Sequence, residues 1–157
     1  MKQTRKIALA FIALAASAAA HLAKPIPGPK GGRILTTDAP HAEFFVEKNR
    51  TVTVSFYDKA LKPMALSGQV VSATAEAKTG KVKLDFVEKG GAFVSRTGLP
   101  EGDDYNVVVQ IKDNASARPK NYRVLFHDEA CGECKRAEYA CVCDDAGKGH
   151  DDDKKKK

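Results

Sequence analysis

The sequence predicts an all-β protein: an antiparallel, immunoglobulin-like β-sandwich of about seven strands with a C-terminal cysteine cluster and disordered tails. Three observations predict it. From about residue 33 to residue 128, apolar residues recur with a period of two and not 3.6. Clusters of Gly, Pro, Asn and Asp interrupt that alternation at short intervals, as chain reversals require. All four cysteines then fall in the short segment from Cys131 to Cys143, after the last alternating run.

The chain opens with Lys2, Arg5 and Lys6, followed by an apolar run from Ile7 to Ala16 and the small residues Ala18, Ala19 and Ala20. This order predicts a secretory signal peptide over residues 1–20, cleaved after Ala20 at an A-x-A site, with the periplasm as destination. The apolar stretch ends at Ala20 and is shorter than the ~20 apolar residues that span a bilayer, so no membrane insertion is expected after cleavage. Cleavage there would make His21 the N-terminus, where an α-amino group beside an imidazole chelates Cu(II). Residues 21–32 hold AKPIPGPKGG, and this Pro/Gly-rich composition predicts an extended linker.

Residues 33–128 are expected to form the β-sandwich domain. Thr51 to Tyr57 is its clearest strand: Val52, Val54 and Phe56 point one way, and Thr51, Thr53 and Ser55 the other. Val82, Leu84 and Phe86 alternate with Lys81, Lys83 and Asp85, and Tyr105 to Ile111 repeats the pattern. Glu43–Glu47, Gln69–Thr74, Ala92–Arg96 and Tyr122–Phe126 complete seven strands. Val54, Phe56, Leu84, Phe86, Val107 and Val109 should be buried together, with Tyr57, Tyr105 and Tyr122 as packing residues. The tail from residue 144 to 157, DDAGKGHDDDKKKK, has nothing larger than alanine to bury and should be disordered.

Composition narrows the function classes. The full chain has 26 basic and 20 acidic residues, but three of the cations lie in the signal and four more are Lys154 to Lys157. The body is close to neutral, so the basic balance makes no case for nucleic acid. No G-x-S-x-G, phosphate-cradling glycine loop or H-E-x-x-H is present, and an enzyme is not expected. His21, His41, His127 and His150 are each expected at the surface.

Chemistry is concentrated in residues 129–143, where Cys131, Cys134, Cys141 and Cys143 are spaced C-x2-C-x6-C-x-C. A C-x2-C pair reaches one ion from a tight turn, and four cysteines form a tetrahedral set, so the expected ligand is Zn or Cu(I). Two disulfides are the alternative in an oxidising compartment, in which case the protein is a structural or interaction module. A redox-active C-x2-C is a third reading, set back by the absence of a βαβ context. His127, Asp128, Glu129, His150 and Asp151 to Asp153 lie near enough in sequence to add donors. Lys135 to Tyr139, KRAEY, is expected to form a short helical turn between the two cysteine pairs.

Gly31-Gly32-Arg33-Ile34-Leu35, Ala42-Glu43-Phe44, the strand TVTVSFYD and the turn Lys62-Pro63 together resemble the N-terminal β-rich periplasmic domain of heavy-metal efflux adaptor proteins. The likeness covers about residues 31–126. A histidine often precedes the double glycine in that family, whereas Lys30 stands here, and the helical hairpin and lipoyl-like regions of a complete adaptor are absent. The resemblance implies a periplasmic metal carrier or sensor, partnered by a metal ion and by a periplasmic or inner-membrane transport protein.

Overall fold

A computed structural model describes residues 26–143; the expected signal peptide and the charged tail lie outside them. Eight strands form: β1 (Arg33–Ile34), β2 (His41–Val46), β3 (Thr51–Tyr57), β4 (Val70–Ala77), β5 (Gly80–Lys89), β6 (Ala92–Gly98), β7 (Tyr105–Lys112) and β8 (Lys120–Phe126). All are antiparallel, in the order β1-β2-β3-β6-β5-β4-β7-β8. The all-β antiparallel part of the expectation therefore holds, while the ladders join into one curled sheet, a half-barrel, rather than two separate sheets. Strand β5 makes the join. Its first part, Gly80 to Asp85, pairs with β4, and its last part, Phe86 to Lys89, pairs with β6.

The curl encloses one core. From the first half come Ala42, Phe44, Val52, Val54, Phe56 and Phe93; from the second come Ala73, Leu84, Val107, Val109, Val124 and Phe126. Five of the six residues expected in the core are fully buried there, and Phe86 packs against it half-buried, at the point where β5 changes partners. Tyr57 and Tyr105 are buried and Tyr122 lies against the core, as expected. The β5–β6 hairpin closes through Gly90 and Gly91, both at positive φ (61° and 77°), a turn whose twist suits the flanking strands.

Two expectations are corrected on the outer face of β2 and β3. Thr53, Ser55 and His41 were expected at the surface and are buried instead, with His41 only 6% exposed. On the same face, residues 26–32 fold over Glu43, the cross-strand partner of Ser55, and are not an extended linker. Pro27 bridges to Arg33, and the turn brings the Lys30 and Gly32 amides to Glu43, donating to its Oε1 at 3.0 and 2.8 Å. The Tyr57 hydroxyl donates to Glu43 Oε2 at 2.7 Å, so the fully buried carboxylate is satisfied from three directions. Burial first, and the hydrogen bond to Glu43 second, push the Tyr57 phenol up to about 12. A Cβ at Gly28 would collide with the Glu43 side chain, which explains why glycine stands there.

Candidate metal centre

After β8 the chain makes a second, smaller hairpin. Ala130 bridges to Ala137, the Cys131 amide donates to the Arg136 carbonyl at 2.7 Å, and the Glu138 amide donates to the Glu129 carbonyl at 2.8 Å. The tip is a tight knuckle, Cys131 to Arg136, in which Lys135 takes positive φ (59°) and its ammonium caps the Gly132 carbonyl at 2.6 Å. That left-handed residue prevents the helical turn expected over Lys135 to Tyr139. Only Glu138–Ala140 coils, as a 3-10 turn, and Cys141 leaves it in extended conformation.

The knuckle and the extended end bring the four thiols together. All four Sγ atoms lie within 4.8 Å of one another. Cys131 Sγ is 3.2 Å from Cys141 Sγ and 3.8 Å from Cys143 Sγ, and Cys134 Sγ is 3.8 Å from Cys141 Sγ. Every separation exceeds the ~2.05 Å of a disulfide bond, and all four cysteines are free thiols. Four sulfurs at the ~2.3 Å Zn–S distance around one ion stand ~3.8 Å apart, the separation found for two of these three pairs. The arrangement is compatible with a single ion, with Cys131 and Cys141 buried and Cys134 and Cys143 half-exposed.

Backbone amides set the electrostatics. The Val142 amide, and after it the Arg136 amide, point at Cys134 Sγ and lower its pKa to about 6. Burial raises Cys141, and sharing a proton with Cys141 raises Cys143. Cys134 is therefore the sulfur that most favours the thiolate, while Cys141 and Cys143 favour the protonated form, because a second unscreened negative charge a few ångströms away is costly. A cation held by the four sulfurs would reverse this, favouring all four thiolates and displacing their remaining protons.

The structure also assigns roles the sequence concealed. Tyr139 joins the core, its ring edge-on to Phe44 at 5.7 Å and tilted over Phe126 at 5.6 Å. Its hydroxyl accepts from the Val46 amide at 3.0 Å, its amide donates to the His127 carbonyl, and its carbonyl accepts from Arg33 Nη1. Arg136 reaches the Gly28 carbonyl at 3.3 Å. The cysteine segment is thereby packed into the body and does not trail from it. One signal was available: Tyr139 is the one large apolar residue in the spacer KRAEYA between the two cysteine pairs.

His127 does not join the thiols. Its ring faces Asp103 at 3.5 Å and Asp104 at 3.6 Å, and the four-sulfur group includes none of His127, Asp128 or Glu129. His21, His150 and Asp151 to Asp153 lie outside the described residues. No protein-family model, curated protein or solved structure matches this chain.

Proposed function

We propose that this chain is an exported metal-binding protein that holds one Zn or Cu(I) ion on Cys131, Cys134, Cys141 and Cys143 and serves metal homeostasis or efflux. The observation that carries the reading is the convergence of four free thiols, two from a knuckle and two from an extended end, at separations suited to one ion. The chain's own residues provide for charge as well: amides at Cys134 favour a thiolate before any ion arrives. The basic-then-apolar start supports export. The likeness of residues 31–126 to efflux adaptor domains supports a transport protein as the recipient. Nothing in the motif content supports an enzyme.

Strand order supports the immunoglobulin-like reading of the scaffold. With β1 set aside, β2-β3-β6-β5 and β4-β7-β8 repeat the ABED and CFG orders of that fold, with β5 shared between them. The Tyr105 hydroxyl, at the start of β7, donates back to the Pro100 carbonyl at 2.8 Å, in the manner of a tyrosine corner.

The 3.2 Å approach of Cys131 to Cys141 favours a disulfide as the second reading. A thiol titration on denatured protein, with elemental analysis beside it, separates the two. One equivalent of metal and four titratable thiols support the site. Oxidised cysteines with under about a tenth of an equivalent of metal overturn it.

A further inference from the structure

We infer that the metal works as the latch of a strap that closes the half-barrel, an inference that rests on the metal-binding reading above. Strands β1 and β8 are the two edges of the curled sheet, and no ladder joins them. What spans the seam is Tyr139. Its carbonyl accepts from Arg33 on β1, its hydroxyl accepts from the Val46 amide at the end of β2, and its amide donates to His127 just past β8. Its ring fills the space between Phe44 of β2 and Phe126 of β8.

The strap has little structure of its own. Between Cys131 and Cys143 it contains a knuckle, three residues of 3-10 turn and no ladder beyond the bridge Ala130 to Ala137. Tyr139 sits in the six-residue spacer, with two ligands before it and two after. An ion that ties Cys141 and Cys143 to the knuckle therefore closes a short loop around Tyr139 and removes most of the conformations in which the ring is out of its slot. The coupling is reciprocal: seating Tyr139 holds the late cysteines beside the early ones and so tightens the site. Loss of the ion frees the strap, opens the seam and exposes Phe44, Phe126 and the Val46 amide together.

Residue-resolved hydrogen exchange on the full purified chain tests this, with Zn(II) alone as the probe and metal content measured on the same sample. In metal-free protein the Val46 and Tyr139 amides should exchange well ahead of Val54 and Val107 in the core strands, and one equivalent of Zn(II) should slow them at least tenfold. Tyr139→Phe keeps the ring and the fold but removes the acceptor for Val46; its Zn(II) affinity should fall several-fold with all four ligands intact. Unchanged exchange at Val46 and Tyr139 in protein carrying one equivalent of Zn(II) overturns the latch and leaves the metal site standing. Wild-type affinity in Tyr139→Phe does the same. Protein that takes up no Zn(II) or Cu(I) overturns both.

Discussion

Cys134 carries the one strongly lowered thiol, and its cause is local: two amides, from Val142 and Arg136, point at a single sulfur. In reduced, metal-free protein at neutral pH, it should be alkylated by iodoacetamide first, ahead of buried Cys141, whose pKa burial raises. Peptide mapping of a short labelling pulse checks the order, and equal labelling of all four would contradict it. The sign of the stability effect follows. A folded-state pKa of about 6, against an ordinary thiol near 9, means that the unfolded chain binds the extra proton between those values. Metal-free protein should gain stability as pH rises from 6 toward 9, and Cys134→Ser should flatten that gain. Glu43 is a second residue whose role is local and buried. Glu43→Ala leaves the Lys30 and Gly32 amides and the Tyr57 hydroxyl without their acceptor, and at ~1–3 kcal/mol for each stranded group the cost should exceed ~3 kcal/mol in urea unfolding. A cost below ~1 kcal/mol would mean that water replaces the carboxylate.

Strands differ in how much a side chain on them contributes, and β3 and β5 give the contrast. Phe56 on β3 is enclosed, edge-on to Phe93 at 6.2 Å, so Phe56→Ala should cost ~3–5 kcal/mol. Phe86 lies half-buried where β5 leaves β4 for β6, and Phe86→Ala should cost less, ~1–2 kcal/mol, by the same denaturant measurement. Equal costs would place Phe86 in the core. The alternation that made β3, β5 and β7 readable is a property of each strand alone, and it placed Val54, Leu84, Val107 and Val109 correctly. What covers the far side of a strand is not written in that strand. Thr53 and Ser55 look solvent-facing in sequence, yet both are buried on the outer face beside Glu43 of β2, over which residues 26–32 fold. Arg33–Ile34 is too short to show a period at all. The four clustered cysteines were legible as a candidate site because their chemistry is confined to one short segment. Tyr139 was not, because its partners Phe44, Val46 and Phe126 lie in distant strands.

At the scale of the whole molecule, the cysteine segment belongs to the same cooperative unit as the sheet. Phe126 is held from several sides: Arg50 lies over its ring at 5.2 Å, Tyr105 packs at 5.3 Å and Tyr139 at 5.6 Å. Arg50 in turn donates to the Pro100 and Gly102 carbonyls, so the β2–β3 turn, the loop before β7 and the cysteine segment meet on one aromatic ring. A ligand that binds only the folded state stabilises it by mass action, ~2.7 kcal/mol when present at a hundredfold over its dissociation constant. Because the site is part of this unit and not a separate lobe, that free energy should appear in the global transition. For a domain of this size, Zn(II) at that excess should raise Tm on the order of 10 °C. Replacing the two knuckle cysteines together, Cys131→Ser with Cys134→Ser, should leave a folded protein, since the core of the sheet remains, but its Tm should no longer respond to Zn(II). A Zn(II)-dependent rise confined to a separate, smaller transition would show that the segment unfolds independently of the sheet. An equal rise in the double variant would locate the ion elsewhere on the chain.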